Sequence, residues 1–310
     1  MMCEYVMKRQ ILCSLTALFV GLCAAGAQAV DVGISMSDAT TARGIALTQN
    51  IVSGLETAGM SVHMMDAGGR MSQQVSDIDT LIAEEPSYLV VSCVRSLGLG
   101  EVIGRAAQAG IKVILADQYA SDVREDDVYA QAGVNWNWAA QSCVEALTGS
   151  AGTGPLSILE ITGAPGSSIT NELSGSFRRS LDDIEDANIA GVLNGGGDRQ
   201  TANQELSRFI AEKGLCFSAI FAHGDEQALG AINALMNLPD TDELPVVCVG
   251  GMDDARRALQ AGRLYACAAL ETDYGSVILQ MIEADRSGSD APQDVSFEGI
   301  MLFADEQEGR

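Results

Sequence analysis

An α/β fold made of two doubly wound parallel sheets is predicted by three features of the sequence. Short runs rich in β-branched and apolar residues alternate with longer amphipathic ones from Val32 to Ala284. The short runs are apolar almost throughout, which marks strands buried on both faces. Their regular alternation with helices requires parallel pairing through right-handed crossovers. One open sheet rarely takes so many strands; two sheets of five or six do.

The first half supplies strands at Val32–Ser37, Ser61–Asp66, Tyr88–Cys93 and Lys112–Ala116. Its helices are Ala42–Ala58, with Leu47, Ile51 and Leu55 on one face, and Leu99–Ala109. A break falls near Glu125–Asn135. The second half supplies strands at Leu156–Ile161, Asn188–Leu193, Ala219–Ala222, Val246–Gly250 and Leu264–Leu270. Helices between and after them span Trp136–Leu147, Ser168–Leu181, Thr201–Lys213, Glu226–Met236, Asp254–Ala261 and Tyr274–Ala284. No Pro/Gly/Ser-rich linker separates the halves, and Gly149–Gly154 and Gly195–Gly197 read as turns. Short extended segments must therefore join the lobes.

The N-terminus reads as a processing segment. Lys8 and Arg9 precede an apolar run from Ile11 to Ala25, and Ala27-Gln28-Ala29 ends it with a small-x-small site. A basic, then apolar, then A-x-A order is that of a secretory signal, removed after Ala29. The run is short for a bilayer span of about 20 residues. Residues 30–310 then carry 41 acids against 16 bases, with Lys112 and Lys213 the only lysines. Such a surface repels phosphate backbones and anionic lipid, which argues against nucleic-acid and membrane-surface partners. Five of the eight cysteines lie beyond the leader: Cys93, Cys143, Cys216, Cys248 and Cys267. None stands in a C-x-x-C, so no metal site is expected, and export makes a disulfide chemically possible. Cys93 and Cys248 fall in apolar strands and read as small buried hydrophobes.

Catalytic signals are sparse. His63 and His223, the only histidines, belong to opposite halves. Gly98-Leu99-Gly100-Glu101-Val102-Ile103-Gly104 follows a strand, but it is one residue longer than the dinucleotide fingerprint and lacks a clearly placed acid beyond it. Neither an enzyme nor a cofactor is expected. Polar residues recur instead at the carboxyl ends of strands, where open parallel sheets bind ligands. Ser37 and Asp38 follow the first strand, Asp117 and Gln118 the fourth, Asp225 the Ala219–Ala222 strand and Asp253 the Val246–Gly250 strand. Hydroxyl-rich ligands need such paired acceptors and donors once desolvated. Each acid could also cap the helix that follows it; Asp225 leans towards a cap and Asp117 towards a ligand.

These strand ends, in this order, resemble the type 1 periplasmic binding proteins of the ribose- and galactose-binding kind, which serve ABC transporters. Phe221-Ala222-His223-Gly224-Asp225-Glu226-Gln227-Ala228-Leu229-Gly230-Ala231 resembles the family's F-A-x-N-D-x-x-A-L-G-A segment. Gly251-Met252-Asp253-Asp254, continuing to Leu259 and Gly262-Arg263-Leu264, is similar to its G-F-D-G…I-x-x-G-x-L. Ala107–Tyr119 follows its A-x-x-x-I-P-V-I-x-x-D stretch with Lys112 in place of the Pro, and Gly133-Val134-Asn135 its hinge-proximal G-x-D/N.

The resemblance implies two lobes joined by a three-crossing hinge, residues 30–134 plus 271–289 forming one and 135–270 plus 290–310 the other. Ligand would be clamped between them, with Asp117 accepting from a sugar hydroxyl, Asp253 opposite, and Asn135 at the first crossing. Several positions depart from the pattern: Thr40, Thr41 and Ala42 replace aromatics, Gln118 and Asn171 replace arginines, Gly224 replaces the Asn, Arg199 stands near a clamping aromatic, and Ala269 or Leu270 replaces a Gln. Trp136 and Trp138 are the candidate replacement faces, and two residues apart on a helix only one of them can enter the cleft. The expected protein is a monomeric periplasmic receptor delivering a sugar, polyol or modified sugar to an inner-membrane ABC permease, with Arg199 as a candidate anion partner. The alternative is the same scaffold feeding a sensor kinase or chemoreceptor.

Overall fold

The computed structural model describes residues 30–151, 155–236, 238–239, 241–290 and 292–304. The expected signal segment lies outside these. In chain order the first lobe runs β1 (Val32–Met36), α1 (Ala42–Thr57), β2 (Val62–Asp66), α2 (Met71–Ile82), β3 (Tyr88–Val91), α3 (Gly100–Gln108), β4 (Lys112–Ala116) and β5 (Ala130–Val134). The second runs α4 (Trp136–Ala151), β6 (Leu156–Thr162), α5 (Ser168–Leu181), β7 (Ala187–Asn194), α6 (Arg199–Lys213), β8 (Ala219–Ala222), α7 (Asp225–Leu235), β9 (Val246–Gly250), α8 (Asp253–Gln260) and β10 (Ala266–Leu270). The chain closes with α9 (Tyr274–Ser287), β11 (Asp294–Phe297) and β12 (Gly299–Phe303).

Two six-stranded sheets result, ordered β2-β1-β3-β4-β5-β11 and β7-β6-β8-β9-β10-β12. All pairings are parallel except β10 with β12. The period-2 alternation of each strand divides its residues between two cores. In the first sheet Val32, Ile34, Val90 and Ile114 face the layer of α1 and α9, while Leu89, Val91, Val113 and Leu115 face that of α2 and α3. In the second, Ile158, Phe221, Val247 and Ala268 pack under α4 and α5, and Leu159, Ile220, Cys248 and Cys267 under α6, α7 and α8. Helices on both faces are what such apolar strands demand.

Four elements were not anticipated, each for a physical reason. The inner face of α2 is mixed: Ile78 and Leu81 enter the core, but Gln74 on the same face is fully buried, donating to Ser92 O at 2.8 Å and accepting from Val94 N at 2.8 Å, so polar residues interrupt the apolar stripe. The β5 sequence Ala-Gln-Ala-Gly-Val is poor in branched residues because the Tyr119 ring lies over it. A Cβ on Gly133 would fall 1.6 Å from the Tyr119 hydroxyl oxygen. The last two strands, β11 and β12, are short and half-exposed at sheet edges.

These last strands correct the expected lobe boundary. Residues 290–310 were assigned to the second lobe, yet β11 pairs with β5 in the first sheet and only β12 joins the second. The chain thus passes between lobes at Asn135, between β10 and α9, and at Glu298. Asn135 ties two of these passages together: its amide N donates to Phe297 O at 2.7 Å and its Nδ2 to Glu298 Oε1 at 2.9 Å. Beside α1, Gly275 N donates to Asn50 Oδ1 at 2.8 Å, which anchors α9 in the first lobe.

Candidate ligand cleft between the lobes

The carboxyl ends of both sheets face each other. From the loop after β3, Ser96 N donates to Gly166 O, beyond β6, at 3.1 Å. Asn171 Nδ2 on α5 donates to Ser96 Oγ at 3.3 Å, and Tyr119 N, after β4, donates to Ser168 Oγ at 3.0 Å. Polar residues of both lobes therefore meet directly where the strand ends oppose each other.

On the first-lobe side the centre is Asp117. It is 2% exposed and adopts a left-handed φ of 66°, a conformation an aspartate holds only when its surroundings impose it. Its N–H is held by Ala132 O at 2.9 Å, and Tyr274 Oη donates to its Oδ1 at 3.0 Å. Arg43, from the first turn of α1, forms an ion pair with the same oxygen. The Arg43 guanidinium also lies over the Trp136 ring, 5.4 Å from its centroid, a cation–π contact made across the lobes. Burial alone would lower the Arg43 pKa; Asp117 foremost, then Tyr274 and Asp225, outweigh this and raise it above the ordinary arginine value. Burial and the adjacent Asp117 charge push the Tyr274 hydroxyl well up, so it stays a donor.

Among the described residues two donors at this junction have no protein acceptor: Arg43 Nε and Trp136 Nε1 are buried and unpartnered. Buried polar groups are nearly always bonded, so each orphan requires an explanation. Nearby, Gln118 Nε2 donates to Ser37 Oγ at 3.1 Å, and Ser37 Oγ lies 3.4 Å from Ser92 Oγ.

The second-lobe side is built differently. Asp225 opens α7, buried, and accepts from Gly251 N at 2.9 Å and Met252 N at 3.0 Å. Gly250 and Gly251 have φ of 143° and 95°, and a Cβ on Gly250 would lie 2.3 Å from Asp225 Oδ2. Glycine is thus required for the turn to wrap the carboxylate. Burial raises the Asp225 pKa, opposed by these two amides, the Cys248 thiol and the Arg43 charge. Asp253, the first residue of α8, is exposed just beyond this turn.

The remaining expected residues take local roles. Asp38 Oδ1 accepts from Thr40 N at 2.9 Å, and Thr41 caps α1 through Gly44 N at 3.1 Å. Asn135 Oδ1 accepts from Trp138 N at 3.0 Å, capping α4 at the hinge. Trp138 is only partly buried against the second-lobe core, and Trp136 is the ring that meets Arg43. Arg199 is not free to meet an anion: it donates to Glu226 at 2.7 and 3.1 Å and to Asp254 at 2.8 Å, stitching α6 to α7 and α8. Gly98 N and Gly100 N donate to Asp122 Oδ2, so the glycine-rich turn before α3 serves its own lobe.

Arg43, Tyr274 and Ser92 were missed from sequence. Arg43 carried no distinguishing signal, since Arg199 and Arg256 also stand in the first turn of a helix that follows a strand. Tyr274 carried none, being 157 residues from Asp117.

Two lobes of matched topology, three crossings and polar groups converging from both sheets define a two-lobed binding protein. The periplasmic binding protein domain family matches residues 32–283, and the chain belongs to that family. It is similar to the ribose import binding protein of Bacillus subtilis (strain 168), 25% identical over 243 residues, which cover 78% of this chain and 76% of that protein. Two solved structures share the fold. The periplasmic component of the arabinose ABC transporter of Shewanella sp. ANA-3 superposes with a TM-score of 0.83, at 20% identity over 88% of this chain and 91% of that one. The myo-inositol binding protein of Caulobacter gives 0.80, at 18% identity over 90% and 94%.

Proposed function

We propose that this chain is an exported receptor that closes its lobes on a neutral sugar or polyol and delivers it to an ABC permease in the inner membrane. The observation that carries the reading is the Arg43–Asp117–Trp136 arrangement. The Arg43 cation is already balanced by Asp117, with Asp225 close by, so this arrangement offers no net positive charge to an acid. It offers instead a carboxylate acceptor, two orphaned N–H donors and an aromatic edge, which together suit a ring bearing hydroxyls and an ether oxygen. Asp253 on the rim and Asn171 opposite Ser96 are placed to add contacts as the lobes meet. The ribose import and arabinose transporter relatives support the ligand class and the transport role, and the leader expected at residues 1–29 supports export.

A thermal-shift panel tests the proposal. Pentoses, hexoses, polyols and their carboxylated counterparts are added at equal concentration to the purified chain. A ligand at a hundredfold excess over its Kd stabilises by about 2.7 kcal/mol. A neutral sugar or polyol should raise Tm by several degrees and its uronic or aldonic acid should not. A preference for the acids would overturn the neutral-ligand reading.

A further inference from the structure

We propose that Cys248 and Cys267 join in a disulfide bridging β9 and β10 when the chain folds in an oxidising compartment, an inference that rests on the exported reading above. Among the described residues five cysteines are free, and their positions separate them. Cys93 lies in the first lobe, in the core under α2 and α3. Cys143 is buried on the α4 side of the second sheet, where its thiol meets Cys248 O at 3.5 Å. Cys216 is exposed beyond α6. Cys248 and Cys267 are direct register partners on neighbouring strands, both fully buried under α7 and α8, with Sγ atoms 3.5 Å apart. Adjacent strands lie about 4.8 Å apart, within the span a disulfide bridges between Cα atoms. Closure asks only that each thiol turn towards the other.

The thiol pair lies against the ligand-side frame. Cys248 Sγ is 3.6 Å and Cys267 Sγ 4.0 Å from Asp225 Oδ1, the carboxylate that wraps the Gly251–Met252 turn. Hydrogen bonding with Cys267 and burial push the Cys248 thiol well up, so in the finished fold little thiolate is present to react. The bond therefore forms while the chain folds, before α7 and α8 cover the sheet. The two thiols lose two protons and two electrons; the electrons reduce a disulfide oxidant, oxidised glutathione or a disulfide carrier protein, to two thiols through a mixed disulfide. Once formed, the bond is sealed from reductants by the same burial. It fixes the strand pair that ends at the Asp225 turn and relieves Asp225 of two thiol neighbours.

The test is thiol counting after refolding the purified chain without its leader from denaturant in a glutathione redox buffer. Alkylation under denaturing conditions followed by peptide mapping should find Cys93, Cys143 and Cys216 modified and Cys248 linked to Cys267. Refolding in dithiothreitol instead of the glutathione buffer, which leaves the bond unmade, should lower Tm by about 5 °C or more. Cys248→Ser and Cys267→Ser should each lose the link and the dithiothreitol effect, whereas Cys216→Ser keeps both. Five modified cysteines, a bond to any other cysteine, or a zinc ion held by Asp225 and the two reduced thiols overturns the proposal. Should the serine variants fail to fold, the map and the dithiothreitol shift of the unsubstituted chain still decide. The same map on protein recovered from cells expressing all 310 residues separates the two readings. A bond made on refolding but missing there sinks export while the pairing stands.

Discussion

The two lobes share one strand order and one helix arrangement, yet they place their charge at different depths. In the first, Arg43 and Asp117 meet at the strand ends, against the other lobe, and leave a donor unpartnered. In the second, the chief ionic cluster lies inside the sheet. Glu160, 0% exposed in the middle of β6, accepts from Arg178 at 2.7 Å and Ser174 at 2.5 Å and faces His223 Nε2 at 3.0 Å. At the cleft, Asp225 is spent on backbone amides. One scaffold thus yields a lobe whose ion pair stands at the strand ends beside the other lobe and a lobe whose ion pairs organise its own core.

The sharpest way to break this contrast is Glu160→Ala. It strips the acceptor from the buried His223 ring and the ion partner from half-exposed Arg178, and leaving a buried donor unsatisfied costs about 1–3 kcal/mol. Urea unfolding should show that loss while sugar affinity in the folded protein stays within about threefold, a ratio worth under 1 kcal/mol. The pH dependence follows from the same group. Burial pushes the Glu160 carboxyl up, but hydrogen bonds from His223 and Ser174 and the Arg178 charge outweigh it, so its folded pKa is lowered. Its contribution to stability is full above the ordinary glutamate value of about 4.3 and is lost as pH falls through the folded value. Glu160→Gln should flatten the acid limb of a Tm–pH curve.

In the first lobe the balance should reverse. Asp117→Ala is expected to weaken binding of the tightest sugar by about 100-fold, roughly 3 kcal/mol, because it removes an acceptor and leaves Arg43 uncompensated. Titration calorimetry measures this, and an unchanged Kd would move the ligand elsewhere. Arg43→Lys keeps the charge but not the planar fork over Trp136 or the Nε donor. A loss of about tenfold, near 1.4 kcal/mol, is expected. The smallest effect belongs to Arg199→Ala, whose ion pairs are half-exposed and screened. It should cost less than about 1 kcal/mol of stability and leave affinity intact; a large affinity loss would restore Arg199 to the site.

The contrast also shows what reading the chain could reach. Asp117 stood out as a candidate because it follows a buried strand with no helix to cap, and it lies buried against Arg43 and Tyr274. Arg199 was misread because its partners, Glu226 and Asp254, begin or lie within helices whose approach no local pattern reveals. Asp38, Thr41 and Asn135 were read as ligand residues, and in the structure each accepts a hydrogen bond from a near neighbour, Thr41 and Asn135 as helix caps. The helix α2 escaped notice because its buried Gln74 and Asp77 interrupt the apolar period.

Alternation of apolar strands with amphipathic helices was enough to specify two parallel sheets, since burying both faces of each strand leaves no other economical arrangement. Which polar groups share the cleft was settled only by folding. Arg43, Asp117, Trp136 and Tyr274 come from four segments spread over more than 200 residues of chain. Their pairing depends on where α9 returns to the first lobe and how the second lobe lies against it, and local sequence carries no record of either.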